Sequence, residues 1–166
     1  QGNGGLAEVS GKENLLFRGK ADLSAVNGSR GTLLLDPKNI QVANSPNCGG
    51  SCDETSGSAN NVTNGATFTG NSVVSKNEDF GIRTTDLVSA LTGNVILKAN
   101  NDITIDSAID ASGNNNAGNL ELQAGRSIDI NANITVEGSF TAIANEESAK
   151  AGNRDDGDAT FNSNGF

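Results

Sequence analysis

Three groups of residues in this chain have the type and spacing to do chemistry. Asp102, Asp106, Asp110 and Asp129 lie along one stretch, and paired carboxylates cleave or protonate glycosidic bonds. Asp155-Asp156-Gly157-Asp158, with Asn153 and Glu146-Glu147 nearby, offers oxygens suited to calcium, a hard cation. Cys48-Gly49-Gly50-Ser51-Cys52 sets two thiols on either side of a Gly-rich gap. Each group also has a plainer reading. Aspartates at equivalent places in a repeat are more often corner residues facing water, so no catalytic residue is assigned and the chain is not expected to be an enzyme. The acidic run matches neither the EF-hand spacing nor the nonapeptide calcium repeat, so a solvated acidic loop is favoured over a calcium site and no cofactor is expected. For the thiols, a small disulfide between Cys48 and Cys52 is favoured over free or metal-bound sulfur in an oxidising compartment. No His and no further Cys exist to complete a metal site.

Composition narrows the field further. The 166 residues include 21 Gly and 24 Asn, but only 6 Phe and no Trp, Tyr, Met or His. Without His, the commonest acid–base group of catalytic triads is missing. A net charge of −9, from 11 basic and 20 acidic residues, makes nucleic acid a poor partner, since that contact needs clustered cations. No apolar run approaches the roughly 18 residues of a membrane span. The opening residues do not read as a signal peptide, and Gln1 is expected to be a mature or excised start. Sequons at Asn27, Asn61 and Asn133 are explained by the abundance of Asn, Ser and Thr. Thr84-Thr85 and the lone Thr104 do not make the regular threonine face of an ice binder.

The elements that must carry these residues emerge when the chain is compared with itself. Gly93-Asn94-Val95-Ile96-Leu97-Lys98-Ala99 aligns with Gly118-Asn119-Leu120-Glu121-Leu122-Gln123-Ala124. The alignment continues without a gap, so that Ile103, Ile105 and Ile109 meet Ile128, Ile130 and Ile134. A third copy starts at Gly138 with Phe140, Ala142 and Ala144, and Gly113-Asn114-Asn115-Asn116-Ala117 absorbs the difference in length. Within each copy apolar residues alternate, which is the period of a half-buried strand. Asn, Asp and Gly part these runs and tolerate turn conformations. A unit this short cannot hold a βαβ crossover, which takes about 30 residues. It fits one coil of a parallel β-helix, with a thin aliphatic core and asparagine ladders at the corners.

The expected fold is therefore all-β: a single-stranded parallel β-helix, or β-solenoid, with coils of about 20–25 residues. Residues 1–43 form N-terminal coils, where Pro37 marks a corner because it cannot donate to a ladder. Residues 44–83 form a polar, loop-rich excursion holding both cysteines, with strands near Ala66–Phe68 and Val73–Val74. Residues 84–145 return to regular coils, with Thr84 to Leu91 as one short helical turn or another corner, and no credible helix is expected in the chain. Residues 146–166 form an acidic loop and an edge strand near Phe161.

Two runs also carry a family resemblance. Gly4-Gly5-Leu6-Ala7-Glu8-Val9-Ser10-Gly11 and Gly31-Thr32-Leu33-Leu34-Leu35-Asp36-Pro37-Lys38-Asn39-Ile40 resemble the GG-x-x-E-x-S-G and GT-x-LLDP-x-NI elements of filamentous-haemagglutinin-like two-partner-secretion exoproteins. Asp86 to Val95 and Asn101 to Ile105 are similar to their DL-x-x-x-L-x-x-GNV and N-DI-T-I pattern. The resemblance spans about residues 4–43 and 84–145 and implies a right-handed β-helix, exported from a Gram-negative cell and displayed or shed as adhesive fibre. The family's NPNL- and NPNG-type motifs are not found, which implies an internal or processed piece rather than the secretion signal. Function is then expected to be structural and adhesive, at the cell surface or outside it. Expected partners are further copies joined through the β-helix ends, and surface glycans or host and matrix proteins. The alternative is a subunit of a self-assembling extracellular filament stacked end to end.

Overall fold

The structure, a computed structural model, describes residues 2–11, 15, 21–44, 79–113, 117–149 and 154–164. Its strands are short: β1 (Leu6–Ser10), β2 (Thr32–Asp36), β3 (Asn39–Ala43), β4 (Asp79–Arg83), β5 (Asn94–Ala99), β6 (Ile103–Ile105) and β7 (Ile109–Asp110). They continue with β8 (Leu120–Ala124), β9 (Ile128–Ile130), β10 (Ile134–Thr135), β11 (Phe140–Ile143) and β12 (Phe161–Ser163). An α-helix, α1 (Thr84–Ala90), precedes β5, and a 3-10 turn, Glu147–Ala149, follows β11.

Among the described residues all pairings are parallel. One five-stranded sheet has the order β1-β2-β5-β8-β11, a second β4-β3-β6-β9-β12, and β7 pairs with β10 in a third. The chain thus gives β5, β6 and β7 in turn to three sheets, then β8, β9 and β10 to the same three. Val95 stands against Leu120, Ile103 against Ile128 and Ile109 against Ile134, an offset of 25 residues. That is the alignment read from the repeat. Phe140 and Ala142 stand against Leu120 and Leu122 at the shorter offset of 20.

Period-two alternation explains the core. Leu33, Val95 and Leu120 form one inward column, and Leu35, Leu97 and Leu122 another; all six are buried. In the second sheet Ile40, Ile103 and Ile128 stack, as do Val42, Ile105 and Ile130. Each such side chain contributes about 1.5–3 kcal/mol on leaving water. Because the columns are aliphatic, little in their shape fixes one register over another.

The glycines supply some of that specificity. Gly31, Gly93, Gly118 and Gly138 precede β2, β5, β8 and β11, and neighbouring strands approach closely there. A Cβ on Gly118 would lie 1.7 Å from the Gly93 carbonyl oxygen, and one on Gly138 2.3 Å from that of Gly118. Only a bare backbone fits this column.

Two features depart from expectation. β4 falls within the span assigned to the excursion, yet it pairs with β3 on the side away from β6. Its sequence, Asp79-Phe80-Gly81-Ile82-Arg83, alternates in the same way as the other strands, and Ile82 is buried. The span from Thr84 is a seven-residue helix that packs against β4 and β7 and buries Leu87 and Ala90, with Leu91 buried at its end. Such a short helix persists through packing rather than propensity. Cys48, Cys52, Asn61, Asn153 and the strands expected near Ala66–Phe68 and Val73–Val74 lie outside the described residues.

Candidate functional site

The corners before and after the second sheet gather most of the polar chemistry. Before it, Asn39, Asp102, Ser127 and Thr160 occupy equivalent places. The Asn39 Oδ1 accepts the Asp102 N–H at 3.2 Å, the Asp102 Oδ1 accepts the Ser127 N–H at 3.1 Å, and the Ser127 Oγ accepts the Thr160 N–H at 3.1 Å. After it, Gln41 and Asn131 both donate to Asp106, and Asn164 donates to Asn131. Side-chain oxygens therefore link one strand layer to the next.

The four aspartates singled out by the repeat are divided among these corners. Asp102 holds the Arg126 guanidinium through both oxygens, and this bond keeps the Arg126 pKa raised. Asp106 accepts from Gln41 and Asn131, and Asp129 from Asn162. Asp110 accepts the hydroxyl and backbone N–H of Ser112, which hold its carboxyl below the usual value. Each is engaged by its own partners rather than by a second carboxylate. Asn27 and Asn133 are both exposed.

The acidic run divides as well. Asp155 turns back onto the corner between β5 and β6, where its carboxylate accepts from Asn101 Nδ2 at 2.9 Å and lies 3.1 Å from Lys38 Nζ. Its backbone N–H donates to Asn101 Oδ1 at 2.9 Å. Asn101 is fully buried, so these bonds satisfy an amide that would be costly to strand. The Lys38 hydrogen bond, helped by Asn101 and Arg126, holds the Asp155 carboxyl below its usual pKa. Nearby, Arg126 donates to the Asp156 carbonyl and Arg154 to that of Gly125. Among the described residues no group of three or more His, Cys, Asp or Glu is placed to hold a metal ion.

This corner was not visible as a site in the sequence. Asn100-Asn101-Asp102 reads as a turn, and nothing local ties it to an aspartate far along the chain. The one available signal is the insertion before β12, which lengthens the offset between β9 and β12 to 33 residues.

The second candidate surface is the last layer of strands. β11 and β12 each have a partner on one side only among the described residues. Phe140 and Phe161 continue the inward columns of Leu120 and Ile128, yet are 40% and 51% exposed. Ile143, which stands against Gln123 and so on the other face of β11, is also exposed, and at the opposite edge of the first sheet Leu6 is 66% exposed. Among the described residues no helix is long and apolar enough to cross a membrane.

Set against known proteins, the chain matches no family model, no curated protein and no solved structure.

Proposed function

We propose that the chain is a structural and adhesive segment of a secreted bacterial surface exoprotein, built as a single-stranded parallel β-helix. The observation that carries this reading is the register: three successive strands enter three sheets, and the next three pair with them at one constant offset. Repeats that bury a core only against their neighbours form elongated stacks, whose length can be extended without altering the unit. A filamentous-haemagglutinin-like exoprotein of a Gram-negative cell uses such a stack as a stalk, and the Gly4–Gly11 and Gly31–Ile40 runs support that assignment, right-handedness included. The acidic surface keeps stalks apart. The aspartates serve the corners, which favours scaffold over catalysis. An antibody raised against this chain tests the location on producing cells. Labelling of intact cells is the expected result; labelling that needs permeabilised cells would overturn the assignment.

A second reading rests on Phe140, Phe161, Ile143 and Leu6. Apolar side chains and strand edges at both ends of the first sheet suit end-to-end stacking into a filament, a heterologous contact that need not close. Electron microscopy of the purified chain separates the two. Fibres that vanish with Phe140→Asp support the filament; monodisperse particles at high concentration refute it.

A further inference from the structure

We propose that Lys38 and Asn101 are the two halves of an intramolecular isopeptide cross-link, and that Asp155 moves the proton between them. The three side chains meet at the corner described above. The Asp155 carboxylate bridges amine and amide, with Lys38 Nζ 3.1 Å from one oxygen and Asn101 Nδ2 2.9 Å from the other. Lys38 and Asn101 are already neighbours through the backbone, where the Asn101 N–H donates to the Lys38 carbonyl at 2.9 Å. Both are shielded from water, Asn101 completely and the Lys38 side chain at 12% exposure, while the Asp155 side chain is 53% exposed.

The arrangement supplies each part of an amide exchange. Asp155 takes a proton from the Lys38 ammonium, and the freed amine attacks the Asn101 Cγ. Charge developing on Asn101 Oδ1 is met by the Asp155 backbone N–H, which already donates to that oxygen at 2.9 Å, an oxyanion-stabilising contact. The carboxyl returns that proton to Nδ2, the Cγ–Nδ2 bond breaks and ammonia leaves; the second proton on the attacking nitrogen passes through the same carboxylate to the departing ammonia, which leaves as ammonium. One amide replaces another, so no oxidant or further reactant is needed.

The charged surroundings set the pace. Arg126, itself paired with Asp102, acts on Asp155 from the corner before β9, while Arg154 and Asp156 flank it on its own segment. Lys38 and Arg126 keep Asp155 ionised, so it acts as a base, and the resting state at neutral pH is an ion pair. The step is therefore slow at pH 7 and faster at higher pH, because the attacking nitrogen must first give up a proton. Once formed, the bond fixes the corner before β3 to the corner before β6. Closing so long a loop covalently restricts the unfolded chain, a useful property in a scaffold under load.

The test is intact-mass spectrometry of the folded chain during incubation at pH 7 and near pH 10, with circular dichroism on the same samples. The expected result is a loss of about 17 Da, the mass of ammonia, and a branched peptide joining residues 38 and 101. Lys38→Arg should abolish the loss, and Asp155→Asn should slow it at least about tenfold by removing the base. Unchanged mass at both pH values, or only the gain of about 1 Da from deamidation, would overturn the cross-link. Equal rates in wild type and a folded Asp155→Asn variant would overturn the role of Asp155.

Discussion

Gly118→Ala is the most direct probe of how the strand layers are spaced. The added Cβ would lie 1.7 Å from the Gly93 carbonyl oxygen and 2.5 Å from both the Gly93 carbonyl carbon and the Leu91 carbonyl oxygen. All three obstacles are backbone atoms, so no side chain can rotate away. Reaching ordinary contact requires the neighbouring strand start to retreat by roughly 1.5 Å, about a third of the spacing between paired strands. That shift breaks the Gly118 N–H bond to the Leu91 carbonyl at 3.0 Å and the Asn119 N–H bond to Asn94 Oδ1 at 3.1 Å. Overpacking costs about 1–3 kcal/mol and each lost hydrogen bond about 1 kcal/mol, which together give about 3–5 kcal/mol. In a chain of this length such a change lowers the melting temperature by on the order of 10 °C. The chain has no Trp or Tyr, so urea and thermal unfolding are best followed by circular dichroism. Gly5→Ala is the control, because a Cβ there meets nothing within 4 Å. A Gly118→Ala midpoint equal to that of Gly5→Ala would refute the close approach and the strand register behind it.

Ile105 is fully buried, so Ile105→Asp should cost several kcal/mol while Ile105→Val costs about 0.5–1.5 kcal/mol; wild-type-like melting of the aspartate variant would contradict the inward column. Burial raises the Asp36 carboxyl above its ordinary value of 3.8, against the pull of Lys98 and with help from Glu8. Its stabilising contribution is therefore full below 3.8 and is lost as pH rises through the higher folded value. Asp36→Asn should flatten the decline of the urea midpoint across that window, and an unchanged slope would count against it. Deleting residues 113–117 should leave cooperative unfolding intact, because the link from β7 to β8 then matches the one from β10 to β11 in length; loss of the folded circular-dichroism signal would show that this loop is structural.

Much of this architecture was legible because the core uses a simple period. Val95, Leu97, Ile103 and Ile105 recur as Leu120, Leu122, Ile128 and Ile130, and burial of alternate residues leaves that pattern little freedom. β4 was obscured for the opposite reason. It is one short run beside a polar stretch, and its alternation means little until β3 is known to accept it. The helix Thr84–Ala90 lacks a side-chain cap at Arg83 and so carries no start signal. The corner of Lys38, Asn101 and Asp155 was not legible: Lys38 and Asn101 stand at equivalent places before the paired strands β3 and β6, but no periodicity brings Asp155 to them. The glycine column was visible as recurrence, but its cause is a steric contact between layers and not a local turn preference.

The offsets between paired strands explain why the corners matter as much as the core. Neighbouring layers differ by 25 residues in one place, 20 in another and 33 in a third, yet the inward columns stay aligned across all three. The variation is confined to the links: the one before β11 is short, and the one before β12 is long and contains Asp155 and Asp156. Aliphatic columns alone tolerate a slip of two residues, because it returns the same face to the core. The side-chain bonds do not, since Asn119 accepts from Ser139 and Ser127 from Thr160 only in the observed register. Hydrophobic burial thus holds the layers together, while the glycines and polar corner residues select which layers meet. This division of labour lets the links vary in length without disturbing the pairing of the strands.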